Sequence, residues 1–163
     1  MIRTLTTAGG IAGAVALSQF PEFSQQYMQR MSGAVDELRG VVVAFDLTAT
    51  ASGLTRQEAL NRMQGDEFQD GLRDTIETSI HRYERLSTNL TALRSATPLE
   101  RLGQFYRFSD TDLAQRTWDD FKPAVPVTTD GFIAAGIGFL AGWLGLGGLL
   151  GALRRLMRRF IPV

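Results

Sequence analysis

The chain has no cysteine, a single histidine and a single lysine. Without cysteine there is no disulfide framework, no thiolate metal site and no cysteine nucleophile. One histidine alone falls short of the three or more convergent ligands that a transition-metal site usually needs. Acidic residues are missing from both ends, since all 17 Asp and Glu fall between positions 21 and 130. Residues 131 to 153 carry no charge of either sign. No stretch alternates apolar and polar residues between hairpin turns, so no sheet is expected and the fold class is all-α.

What is present is strongly segregated. The 163 residues allow one domain, or a small domain with membrane segments. Their zero net charge is a sum of separated parts. The middle sets 17 Asp and Glu against 11 Arg and one Lys, giving −5, while Arg3, Arg154, Arg155, Arg158 and Arg159 in the flanks give +5. Such asymmetry says more than the total.

The stretch "GFIAAGIGFLAGWLGLGGLLGAL", residues 131 to 153, is 23 residues long. As a helix it reaches roughly 35 Å, enough to cross a hydrocarbon core of about 30 Å with some tilt. Its ten Leu, Ile and Phe side chains favour insertion by about 3–6 kcal/mol, partly offset by its glycines. It reads as a C-terminal transmembrane helix. Arg154, Arg155, Arg158 and Arg159 follow at once in a basic tail, 154 to 163, where the positive-inside rule places cytoplasmic charge. The span accounts for this basic cluster, so no nucleic-acid partner is expected.

The N-terminal "TLTTAGGIAGAVALSQF" is less apolar, with only Leu5, Ile11, Val15, Leu17 and Phe20 large. Preceded by Arg3, it also fits a secretory signal peptide with Ala14-Val15-Ala16 as a poor cleavage site. The helical pattern continues past residue 20, which favours a retained span over residues 1–20 that needs a neighbouring helix. Gly9 and Gly13 sit four apart, as do Gly138 and Gly142, and Gly147 and Gly151. Small residues at that spacing line one helix face and let backbones approach in lipid. Trp143 stands near mid-span, which suggests packing against the first span or a partner.

Between the spans, residues 21–122 read as an α-helical domain. Tyr27, Met31, Ala34, Leu38, Val41 and Phe45 recur at steps of four and three, with Met28, Val35 and Val42 broadening the stripe of a helix over about 22–48. Pro21 suits its first turn. A second long helix over about 56–95 starts at a capping box of Thr55 and Glu58. It carries Leu60, Met63, Phe68, Leu72, Ile76, Ile80, Tyr83, Leu86, Leu90 and Leu93, with room for a bend at "QGDE". The two form an antiparallel hairpin. Shorter helices are expected over about 98–107 and 110–121. Residues 123–130, "PAVPVTTD", form a linker in which Thr128, Thr129 or Asp130 caps the last helix.

Chemistry is scarce. His81 and Glu84 share a helix face but lack further metal ligands. Asp110, Asp112, Asp119 and Asp120 cluster, yet "SDTD" lacks the spacing of a calcium loop and reads as helix capping. No catalytic residue, cofactor, metal or small-molecule substrate is expected, and neither span holds an ionisable group for an ion relay.

At "LSQFPEFSQQYMQRMSGAVDEL", and again at "KPAVPVTTDGF", the chain resembles the proteobacterial membrane-protein family catalogued as domain of unknown function 2937. The resemblance covers nearly the whole chain and implies a retained two-span inner-membrane protein. Gln19, Phe20, Pro21, Glu22, Phe23, Gln25, Gln26 and Tyr27 match its most specific segment. That segment is either a contact for a partner or lipid, through Phe20, Pro21, Glu22, Phe23, Gln26 and Tyr27, or a helix-entry motif that sets the angle at which the chain leaves the membrane.

These readings lead to a non-enzymatic bacterial inner-membrane protein with both termini cytoplasmic and the acidic helices periplasmic. Its partners would be the bilayer and another membrane protein, for which it acts as an accessory or scaffold subunit. A self-assembling homo-oligomeric organiser, built on the seam from Tyr27 to Phe45, is the alternative.

Overall fold

The computed structural model describes residues 2–125 and 127–160, and the side chains of 3–125 and 127–157. All regular structure among the described residues is helical. The helices are α1 (Ile2–Ser18), α2 (Phe20–Ala51), α3 (Arg56–Arg62), α4 (Glu67–Ser95), α5 (Pro98–Leu102), α6 (Thr111–Asp120) and α7 (Thr129–Phe160), with a 3-10 turn at Phe105–Arg107. The chain divides into two compact units. One comprises Met1–Gln26, Pro98–Gly103 and Trp118–Val163; the other comprises Tyr27–Thr97 and Gln104–Thr117.

In the first unit α1 and α7 pair antiparallel, with Gly13 against Gly138 and Gly9 against Gly142. Helix α7 starts where the hydroxyl of Thr128 accepts the Gly131 N–H at 3.1 Å, so Thr128 is the cap among the three candidates. Its stretch Thr129–Met157 is the one helix among the described residues long and apolar enough to cross a membrane, and only 11% of its most apolar window is buried. Helix α1, at 17 residues, is shorter. Only a single Gln19 turn separates α1 from α2, and the Phe23 N–H still bonds the Gln19 carbonyl at 3.0 Å.

The second unit is built on a helical hairpin. Val42 of α2, Leu60 of α3 and Ile80 of α4 form a buried cluster, covered by Phe45, Ile76 and Tyr83. Arg94 donates to Ser32 at 2.8 Å, which puts the far end of α4 beside the near half of α2. The pair is therefore antiparallel. The α2 face that is buried or half-buried runs through Tyr27, Met31, Ala34, Leu38, Val42, Phe45 and Ala49. That averages close to 3.7 residues per step, longer than the 3.5 of a left-handed heptad seam. The expected inward position Val41 is accordingly exposed, and Val42 takes its place.

Three further expectations are corrected. The long helix expected over 56–95 breaks at Met63–Asp66, because Gly65 adopts φ +152° and the Asp66 carboxylate caps a new helix by accepting the Gln69 N–H at 2.8 Å. Phe68 is 78% exposed and Leu72 is also exposed, because the antiparallel register places them at or beyond the end of α2 at Ala51. The helix expected over 98–107 stops at Leu102 and resumes only as the 3-10 turn.

The capping box at α3 is formed on both sides: Thr55 accepts from the Glu58 N–H at 3.3 Å, and Glu58 accepts from the Thr55 N–H at 2.8 Å. Arg56 then grips Asp46 near the end of α2 through Nε–Oδ1 at 2.7 Å and a second bond to Oδ2. This fork holds the Asp46 carboxyl below its ordinary range. The pair thus adds stability above the ordinary carboxylate range and loses it as pH falls through the lowered value; solvent on both partners keeps the effect small.

Gly53 ends α2 at φ +70°, whereas a Cβ on Gly40 inside α2 would meet nothing within 4 Å among the described residues. Gly53→Ala should cost about 1–2 kcal/mol and Gly40→Ala should gain up to about 1 kcal/mol, because one strains a left-handed residue and the other improves helix propensity. Opposite shifts in the thermal midpoint, followed by circular dichroism of the full chain in detergent, check the pair.

Candidate functional site

The candidate residues fall into three groups: the glycine seam, the segment around Gln19, and the charged ends. The seam comes first because it requires a particular residue type. A Cβ added to Gly138 or Gly13 would collide with the other's backbone carbonyl, and a Cβ on Gly142 would collide with the carbonyl of Gly9. Gly10 faces the Phe139 ring, where a Cβ would come within 2.7 Å. The two backbones thus touch over more than a helical turn, as only glycine permits. Gly147 is looser: a Cβ there would lie 3.5 Å from Cγ2 of Thr6, an ordinary contact. Gly151 does not belong to the seam, since a Cβ there would meet nothing within 4 Å among the described residues; it lies past the last close approach. Trp143 remains exposed, so the chain's own packing does not enclose it.

Three of the hydroxyls of α1 are satisfied within that helix. Thr6 and Thr7 each donate to the Arg3 carbonyl at 2.9 Å, and Ser18 donates to Val15 at 2.8 Å. Such back-bonding lets polar side chains sit in an apolar medium without an orphaned donor.

The segment from Gln19 makes internal contacts. The Gln19 amide nitrogen donates to the Ala124 carbonyl at 3.0 Å, and its oxygen accepts the Ala124 N–H at 3.0 Å. One side chain thereby supplies both halves of a backbone-like pairing and fastens the linker before α7. Phe23 packs edge-on against Trp118, with centroids 6.4 Å apart, and against Phe121 at 5.7 Å. Gln26 donates to Glu22 at 3.0 Å, one turn away on the exposed face. Phe20 and Pro21 are half-buried. A cleft of about 390 Å³ opens here, its wall including Ser18, Gln19, Glu22, Ala124, Val125 and Thr128.

Tyr27 must be withdrawn as a partner or lipid contact. It is fully buried in the second unit, with its ring 4.8 Å from that of Phe108. Burial pushes its phenol above the usual tyrosine range. Asp110 is 6% exposed. Its carboxylate accepts from Arg82 at 3.1 and 3.2 Å, from Arg85 at 3.1 Å, and from the Leu113 N–H at 3.2 Å. A capping residue is thus also the centre of an ion cluster, with Arg82 reaching Asp112 as well at 3.6 Å. Local spacing signals the cap alone, because the arginines lie 25 and 28 residues away.

His81 stands 3.9 Å from Glu84 on an exposed face. Among the described residues no three His, Cys, Asp or Glu groups converge as a metal would require. Arg3, Arg154 and Arg155 are exposed, while the side chains of Arg158 and Arg159 lie outside the described residues.

Two outcomes follow. The chain lacks cysteine, so Thr6→Cys with Gly147→Cys should oxidise to an intramolecular disulfide, the pair being near the Cβ spacing such bonds need. Adding Gly138→Leu should cut that cross-link at least about five-fold by parting the backbones, while Gly136→Leu, pointing into open space, should not; gel mobility reads both. Asp110→Ala leaves Arg82 and Arg85 without their shared anion and removes a cap. It should cost about 2–3 kcal/mol in urea unfolding of the full chain, below the value for a wholly buried pair because both arginines reach solvent.

A family model described as a protein of unknown function, DUF2937, matches residues 1–159. The chain belongs to that family. Comparison with curated proteins and with solved structures finds no match in either set.

Proposed function

We propose that this protein is a non-enzymatic accessory or scaffold subunit of the bacterial inner membrane, anchored by α1 and α7 together and docking on another membrane protein. One observation carries the reading. The α1–α7 pair is closed on the inside by backbone contact and apolar on the outside, where Leu5, Ile11, Val15, Ile137, Leu140 and Leu144 are exposed. In water such a surface is a liability; in lipid it is the expected exterior.

The pairing also supports a second span that α1 is too weakly apolar to form unaided. The uncharged stretch 131–153 is centred on Gly142, which meets Gly9. Ten residues from each centre is about 15 Å, half of a ~30 Å core. One boundary then falls near Phe132 and Gln19. Toward the other, Arg154 and Arg155 follow the stretch directly, and the Arg3 stem is long enough to snorkel. Positive charge at both of those ends supports cytoplasmic termini, with the acidic helices periplasmic.

Partner docking rather than self-assembly is favoured by the use made of α2. Its regular seam is already buried or half-buried within the second unit. Among the apolar side chains left exposed are Val43 and Leu47, one turn apart near the α2 C-terminus, and Phe68 and Leu72, one turn apart at the start of α4. Exposed apolar pairs of this kind suit a partner's apolar face.

Affinity purification of the full chain from native membranes in mild detergent tests this. A stable hetero-complex is expected, and Leu47→Asp with Phe68→Asp should reduce partner recovery by about ten-fold or more without loss of helicity. Recovery as a lone monomer contradicts the proposal, and a single high-order homo-oligomer establishes the self-assembling alternative.

A further inference from the structure

We infer that the first unit carries a lipid-binding shelf: Trp118, Phe121 and Phe23, with Val125 and Val127, lie in the headgroup layer where α1 ends and α7 begins. The inference rests on the two-helix anchor proposed above and adds a site of contact outside the spans.

Depth is the first argument. With the hydrocarbon boundary near Gln19 and Phe132, the Gln19–Ala124 clip holds Ala124, and with it Val125, close to that boundary. Phe23 follows Gln19 by four residues of almost continuous helix, about 6 Å. The polar layer on each side of a bilayer is about 5–8 Å deep. The rings that Phe23 meets, Trp118 and Phe121, are stacked 20° apart and fall in the same layer.

Exposure is the second. Trp118 is 70% exposed, Val125 82% and Val127 81%. Apolar groups so exposed, on a linker tied directly to the end of a span, continue the apolar exterior of the α1–α7 pair beyond its last turn. Tryptophan prefers this depth, where its ring is apolar and its N–H finds phosphate or carbonyl oxygen.

Charge identifies the lipid. Asp119, Asp120 and Asp130 flank the shelf, and Lys122 is the only cation between residues 118 and 131. An acidic rim gains nothing from anionic headgroups, so the occupant is the headgroup–acyl boundary of a zwitterionic leaflet, entered by apolar contact.

The two tryptophans make the test clean, because Trp143 follows Gly142 at the centre of the proposed span and Trp118 lies at the shelf. The full-length chain is reconstituted in phosphatidylcholine vesicles bearing either a headgroup spin label or bromine deep in the acyl chains. In Trp143→Phe, the remaining Trp118 should lose about half of its emission to the headgroup label and little to deep bromine, as befits an interfacial ring. The loss should not grow when phosphatidylglycerol is added, and Val125→Asp with Val127→Asp should reduce it at least two-fold. In Trp118→Phe, Trp143 should be quenched by deep bromine. If Trp143 is quenched at depth while Trp118 answers only to aqueous acrylamide, or is shielded from every quencher by a partner or second copy, the shelf is overturned and the anchor stands. If deep bromine leaves Trp143 untouched, the anchor falls and takes the shelf with it.

Discussion

The contact on which the first unit depends is one between backbones. Where Gly13 meets Gly138 and Gly9 meets Gly142, no side chain stands between the helices. Dispersion falls off so steeply with separation that a gap of half an ångström forfeits a good part of each contact. Two helices that face each other with glycine can therefore hold together only if their axes come this close. The need is sharper in lipid, where no hydrophobic effect drives helix to helix and packing must supply the association. Leucines on the outer surface satisfy the solvent, and glycines on the inner one satisfy the partner helix. A composition that looks flexible is in this setting the condition for a close fit.

The same economy governs the polar groups. Gln19 uses both ends of its amide on one residue, Ala124, and thereby fixes how the linker meets the end of α1. Asp110 gathers two arginines and a helix N-terminus. Of the two roles open to the segment from Gln19 to Tyr27, these contacts favour the helix-entry role at Gln19, Phe23 and Tyr27. Glu22 and Gln26, paired with each other on the exposed face, remain able to meet a headgroup or partner.

How much of this was legible in the sequence depends on the distance between partners along the chain. Features closed within one turn could be read directly: the Thr55–Glu58 box, a threonine cap before α7, and the spacing of four that marks the seam glycines. The same spacing could not distinguish Gly142, which touches a backbone, from Gly151, which meets nothing nearby, because that difference lies in the neighbouring helix. Val41 was misread for Val42 because steps of four and three fit 3.5 and 3.6 residues per turn equally well over two turns and diverge over five. Phe68 and Leu72 kept the helical rhythm but outran α2, and no local pattern records where a partner helix ends. The Gln19–Ala124 clip joins residues 105 apart, and the Arg82–Asp110 pair residues 28 apart. Neither has a signature in the sequence.

Most of the strong polar side chains in the middle of the chain are tied up in contacts that hold its helices, and the large apolar ones fall into three populations. Those of α2 and α4 that face each other are buried; those of α1 and α7 face outward along a continuous surface; a smaller set remains exposed at the end of the hairpin. The first set explains folding and the second fits a bilayer. The third, which includes Val43, Leu47, Phe68 and Leu72, is comparable in number to the few residues that carry an interface. An accessory subunit needs little more than this: an anchor that limits its diffusion to two dimensions and a few exposed apolar side chains outside it. Confinement to the membrane raises the effective concentration of any partner in the same bilayer. A surface too small to hold a soluble complex can therefore be enough for one assembled between neighbours in lipid.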